Sequence, residues 1–197
     1  MTSHPTTADL ALPLDAAARK LITPALMGTI REHFELDWRG DHGPSHWARV
    51  RYHGVALARA LDADVRVATL FSVVHDSQRQ NECDDPDHGE RAAEFAGWLH
   101  RRGLLDLDVM GLKLLQAACA GHSDGQMEAD LTVQVCWDSD RLDLGRVGIY
   151  PDARRLCTAL AQEPRVIERA WQWANAGLAP APDTYASGPV RARGMRR

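Results

Sequence analysis

The sequence is short of several things, and each shortage removes a class of protein. Cysteine occurs four times in 197 residues, as Cys83, Cys119, Cys136 and Cys157, and never in a C-x-x-C pair. A chain this long does not need disulfides, so the thiols read as reduced and the setting as cytoplasmic. No apolar run approaches the roughly 20 residues of a membrane span. No Lys/Arg cluster followed by an apolar block stands at the N-terminus, so no secretory signal is expected. A G-x-G-x-x-G loop, a Walker pattern and a Ser-centred nucleophile elbow are missing, which removes the local signatures of dinucleotide, P-loop and serine-hydrolase chemistry. Positive charge is not in excess: 23 Lys and Arg face 27 Asp and Glu, for a net charge of -4. A nucleic-acid-binding surface is therefore not expected.

What is present is an ordinary globular composition, 45% hydrophobic and 25% charged. The chain is long enough for one well-cored domain and short for two. Residues 1–14 carry no periodicity and read as flexible. Residues 179–197 are rich in Pro, Ala and Gly, set Asp183 against Arg191, Arg193, Arg196 and Arg197, and read as a disordered basic tail. Between them, residues 15–178 read as a single all-α domain of about seven or eight helices.

The first helical stretch begins near Asp15 and is interrupted by Pro24 and Gly28. Ser45 looks like the N-cap of the next helix. In it Trp47, Val50, Gly54, Leu57, Ala58 and Leu61 share a face, with His46, Arg49 and His53 in a stripe beside them. Val65 to Val74 fits a buried helix better than a strand, because few other strand signals exist in the chain. Asp87 with Glu90 resembles a capping box, and His88, Ala92, Phe95 and Leu99 follow on one stripe. Between Leu107 and Gly121, the spacing of Leu112, Leu115 and Cys119 carries on to His122. From Asp130, the stripe is Val133, Cys136, Trp137, Asp140 and Leu144. Helices over Asp152–Ala161 and Arg165–Ala176 complete the reading, with Pro164 near a start and Gly177 as a stop. Cys119 and Cys136, on apolar stripes, read as small core residues.

The chemistry gathers where the apolar run Val67–Val74 meets His75 and Asp76. Asp140 lies on an inward stripe, where a lone carboxylate is costly to bury. His88 and His122 lie on inward stripes as well. One such residue is ordinarily a satisfied core group, but several on separate helices are more economically explained by a shared cation.

The order His46, then His75-Asp76, then Asp140 resembles the H…HD…D signature of the HD-domain metal-dependent phosphohydrolase superfamily. Ser45-His46-Trp47-Ala48-Arg49-Val50 is similar to its first helix, and Phe71-Ser72-Val73-Val74-His75-Asp76 to its apolar run into the dyad. Asp138-Ser139-Asp140-Arg141-Leu142-Asp143 is similar to the D-x-D-R/K-L-D form near the last ligand, and the resemblance covers roughly residues 42–150. It implies a helical domain with His46, His75, Asp76 and Asp140 around one divalent transition metal (Mn, Fe, Co, Ni or Zn), with Asp76 also orienting the attacking water. His88 and His122 would hold a second ion or contact substrate phosphate. Arg79 and Arg49, three residues beyond Asp76 and His46, are the expected phosphate-binding residues, with Lys113, Arg91 and Arg141 behind them. His53 takes neither part, and His4, His33, His42 and His100 read as solvent or loop residues. The polar segment Gln78–Asp87 is expected to form a loop over the site mouth.

The implied activity is hydrolysis of a small phosphorylated molecule, a nucleotide or another phosphomonoester, by a soluble protein that a homodimer would also accommodate. Two other readings use the same residues: a di-iron oxygenase of related helical architecture, and a non-catalytic metal- or nucleotide-binding protein.

Overall fold

Short polar side chains mark where most of the helices begin. The computed structural model describes residues 20–177, and within them seven α-helices and two 3-10 segments form with no strand. Helix α1, Pro24–His33, starts at Thr23, whose hydroxyl accepts the Leu26 amide at 3.1 Å. Helix α2, Pro44–Leu61, has Pro44 in its first turn and ends at Asp62 in a left-handed conformation with φ 57°. Asp64 caps α3, Val65–Val74, by accepting the Arg66 and Val67 amides. Helix α4 is His88–Arg101. Asp108 caps α5, Val109–Gly121, and Asp130 caps α6, Leu131–Arg141. Helix α6 tightens into a 3-10 segment, Leu142–Val147; a second, Ala153–Arg155, precedes α7, Pro164–Asn175. Each such cap satisfies an amide that helix geometry leaves without a partner and contributes about 1 kcal/mol.

Helix α3 is the centre of the bundle. Every residue from Val67 to Val74 is buried, and α2, α4, α5 and α6 all pack against it. An all-round apolar sequence has no polar face to give to solvent, so it goes to the middle. Full burial of Leu70 or Phe71 contributes about 1.5–3 kcal/mol each. Helix α4 packs chiefly on α5, and α7 on the 3-10 segment that follows α6. Phe34, Trp38 and Trp47 meet edge to face at 5.4–5.5 Å. That aromatic trio anchors the loop between α1 and α2, which carries His42.

The structure corrects four local expectations. Pro24 begins a new piece as expected, after a break at residues 22–23 that follows helical residues 20 and 21, but Gly28 lies inside α1 and marks no second break; a proline suits the first turn, where its missing N–H has no partner to lose. The second N-cap is Gly43 rather than Ser45, because Pro44 sets the first helical position one residue earlier. Asp87 precedes α4 but makes no side-chain cap bond. Residues 152–161 form only the three-residue Ala153–Arg155 turn. There the buried Asp138 carboxylate accepts the amides of Cys157 and Thr158 at 2.6 and 2.8 Å, and the Thr158 hydroxyl at 2.7 Å. Those amides are taken by a distant side chain and are not free for a helix. Residues 1–14, expected to be flexible, and residues 179–197, expected to be a disordered basic tail, lie outside the described residues.

Candidate metal centre

The apolar character of α3 ends at Val74, and the next two residues are His75 and Asp76. His75 is the C-cap of α3 and is fully buried; Asp76 follows in a turn and is buried too. His122 is likewise the C-cap of α5. Helix C-termini carry partial negative charge, so a cation between them is favoured. His46 comes from the first turn of α2, His88 opens α4, and Asp140 lies in the last turn of α6.

These residues fall into two trios, His46–His75–Asp140 and Asp76–His88–His122, each with its candidate ligand atoms within 4.8 Å of one another. Asp76 joins them. Its Oδ2 lies 3.6 Å from the Nε2 atoms of both His46 and His75. Its Oδ1 lies 3.4 Å from His88 Nε2 and 3.5 Å from His122 Nε2.

The outer hydrogen bonds fix which ring nitrogens face inward. His75 Nδ1 donates to the Phe71 carbonyl at 3.1 Å, His122 Nδ1 to the Cys119 carbonyl at 2.7 Å, and His88 Nδ1 to the Asp85 carbonyl. A carbonyl only accepts, so each Nδ1 carries the proton and each neutral ring turns an Nε2 lone pair to the site. His46 Nδ1 donates to Asp143 Oδ2 at 2.7 Å. The inward nitrogens then crowd: His46 and His75 Nε2 are 3.0 Å apart, and His88 and His122 Nε2 are 2.8 Å apart. Asp140 Oδ1 is buried without a hydrogen-bond partner, 3.3 Å from His46 Nε2 and 3.7 Å from His75 Nε2. Lone pairs and carboxylate oxygens brought this close repel unless a positive charge lies between them. The donor set therefore fits a divalent transition metal: imidazole suits Zn, Fe, Co and Ni, and carboxylate admits Mn.

Electrostatics agree with the geometry at His75 and His88, and His122 is the exception. Burial holds the His75 ring neutral, with its pKa lowered to about 3, and burial also lowers that of His88. Burial alone would raise Asp76, but the adjacent rings of His75 and His122 and the hydrogen bond from His42 keep it well below the usual carboxylate range. Asp140 is lowered against its burial by His46 and by the charge of Arg146. Burial opposes protonation of His122, yet the hydrogen bond and charge of Asp76 outweigh it and raise the pKa.

Several groups around the trios were invisible to helical periodicity. Asp143 sits in the 3-10 segment after α6 and accepts from His46 and, through both oxygens, from Arg49 at 2.6 and 3.0 Å. The guanidinium of Arg49 is thus buried against Asp143, behind His46 as seen from the trios. His42, expected as a solvent or loop residue, lies in the loop before α2 but is buried there, and its Nδ1 donates to Asp76 Oδ2 at 2.8 Å. Arg146 Nη1 is 3.9 Å from Asp140 Oδ1. Arg79 Nη1 is 3.8 Å from Asp76 Oδ1 and 3.2 Å from His88 Nε2, although α3 ends before it. Arg91 pairs with Asp85 at 2.6 Å, bracing the loop that holds His88, and Lys113 is exposed. Arg141 donates to the carbonyls of Gln126 and Arg155. His53 is buried away from both trios. Cys119 and Cys136 are buried thiols whose pKa values burial raises, in keeping with small core residues.

A cavity of about 590 Å³ opens onto Asp76, Asp140, His88 and His122. Arg79, Arg141, Arg146 and Arg155 line it as well. Among the described residues no helix is long and apolar enough to cross a membrane.

Two histidines and two aspartates, in the order H…HD…D, are thus drawn together by three helices of an all-helical bundle. The fold is similar to that of a solved structure, a predicted HD superfamily hydrolase from an uncultured Thermotogales bacterium. The TM-score is 0.57 at 24% sequence identity, over 76% of this chain and 84% of that one. No family profile matches the chain, and no curated protein matches it.

Proposed function

We propose that the protein is a metal-dependent phosphohydrolase acting on a small phosphorylated molecule, a nucleotide or another phosphomonoester. The observation that carries this reading is the convergence of four Nε2 lone pairs on Asp76 and Asp140, each ring oriented from behind by a fixed acceptor. His46, His75, Asp76 and Asp140 would hold one ion, and Asp76, His88 and His122 a second. A divalent ion there supplies a Lewis acid for a phosphoryl oxygen and lowers the pKa of a water molecule toward neutrality. Asp76 lies at the junction of the trios, where it would orient that water, and the His42 N–H keeps Oδ2 in place. Arg79 and Arg146, each within 4 Å of a candidate ligand carboxylate, would offset charge building on the phosphoryl group. Arg49, held by Asp143, orients His46 from behind and is not a phosphate ligand in this reading. The cavity volume falls in the range typical of small-molecule sites, about 300–1,000 Å³.

An oxygenase would use the same trios, but an uncharged carbon substrate has no use for four arginines on the cavity wall. The deciding measurement is elemental analysis of protein purified without a chelating column, followed by phosphate release from nucleotides and sugar phosphates with each metal. Asp76→Ala is expected to abolish both metal content and turnover with helicity retained. Turnover surviving in that variant rejects the assignment, and substrate-dependent dioxygen consumption by the iron form favours the oxygenase.

A further inference from the structure

The cavity has a second character beyond its charged floor. The loop after the Leu142–Val147 segment puts Val147, Ile149 and Tyr150 at the surface, 43%, 54% and 51% exposed. Single exposed apolar residues are ordinary, but three within four positions are not. Ile149 and Tyr150 also line the same cavity as Asp76 and Asp140.

The loop is held open in this form rather than failing to find a core. Gly148 takes a left-handed conformation at φ 81°, its amide bonded to the Gly145 carbonyl at 3.1 Å, and the Ile149 amide donates to the Leu144 carbonyl at 3.2 Å. The Tyr150 ring meets Trp171 at 5.3 Å, and Pro151 beyond it is buried. A braced backbone that presents isoleucine and tyrosine to water loses apolar burial it could otherwise gain, and a ligand that covers those side chains recovers it.

On the phosphohydrolase reading above, we propose that Ile149 and Tyr150 are specificity-determining residues that seat an apolar or aromatic group on the alcohol side of the phosphomonoester. The phosphoryl end faces the trios and the arginines, and the organic end lies on the Ile149–Tyr150 wall. A substrate that ends in a short polar alcohol leaves that wall in water and gains nothing from it.

The test compares 2-phenylethyl phosphate with ethyl phosphate, which share a primary-alcohol leaving group and differ in the ring. The wild type and the double variant Ile149→Ser, Tyr150→Ser are assayed in the metal-loaded form. Calorimetry follows binding of the matching non-hydrolysable phosphonates. The preference of the wild type for the phenyl compound, as a ratio of kcat/KM, is expected to fall about tenfold in the double variant, as removal of a partly buried ring contact predicts. The phosphonate affinity ratio is expected to fall with it. Turnover of both esters with an unchanged ratio overturns the inference and leaves the phosphohydrolase reading standing. Discrimination between the phosphonates without hydrolysis of either ester supports the wall and overturns the hydrolase reading. Failure of both phosphonates to bind, with no turnover, overturns both.

Discussion

Asp143 touches no candidate ligand atom, yet two site residues depend on it. It holds His46 Nδ1 and both ends of the Arg49 fork, and their hydrogen bonds and charges keep its pKa low against the effect of burial. Asp143→Asn keeps the volume and removes the charge, so Arg49 loses its buried partner and the His46 ring its fixed tautomer. Loss of such a supporting carboxylate typically costs about 10–100-fold in metal affinity, and competition titration against a coloured chelator would measure it. Affinity equal to wild type would show that His46 needs no support. His53 makes a different prediction. It is buried with its pKa lowered to about 4, chiefly by desolvation, from an ordinary 6.5. The unfolded chain therefore takes up the proton first. The stability tied to His53 is fully present above pH 6.5, declines as pH falls, and is gone below pH 4. By pH 4.5 the loss is on the order of 2 kcal/mol. Urea midpoints at pH 7 and 4.5 should fall further for the wild type than for His53→Leu; parallel declines would rule this residue out as a source of acid sensitivity.

At the scale of the helix, two glycines let the second trio close. A Cβ on Gly89 would lie 2.6 Å from the Cys119 carbonyl oxygen and 2.8 Å from that of Ala120, and one on Gly121 would lie 2.8 Å from the Trp137 ring. Gly89 follows His88 and Gly121 precedes His122, so the bare backbone lets the start of α4 sit against the end of α5. Gly89→Ala meets backbone atoms that cannot swing aside, and the start of α4 must shift. Weaker metal binding and a lower thermal midpoint are expected together; a variant unchanged in both would refute the packing argument. Helix periodicity made much of this scale legible. The stripes carrying His88, His122 and Asp140 read directly as inward faces, and the apolar run of α3 announced its burial; that it is a helix had to be read from the scarcity of strand signals elsewhere, because its β-branched residues suit a strand as well. What escaped lay where periodicity stops. His42 is in a loop, and Asp143 and Arg146 follow the point where α6 tightens to a 3-10 turn and the 3.6-residue spacing no longer says which way a side chain points. The helix expected over residues 152–161 was misread because local propensity carries no trace of Asp138, about 20 residues away in sequence.

For the whole molecule, the candidate ligands are one strained set shared by five helices. Removing metal should therefore loosen more than the site. With metal at a hundred times its dissociation constant, binding to the folded form alone adds about 2.7 kcal/mol. In a domain of this size that is a rise of about 5–10 °C in the thermal midpoint, read by calorimetry with and without chelator. An equal midpoint in both would mean that the trios bind no ion. The separations along the chain have one more consequence. His46 and its supporting Asp143 are 97 positions apart, and no two adjacent helices hold a full set of donors. The second trio, Asp76–His88–His122, is complete once α3, α4 and α5 have packed, whereas the first waits for α6 to bring Asp140 and for the turn after it to bring Asp143, so the two halves of the site are armed in order along the chain.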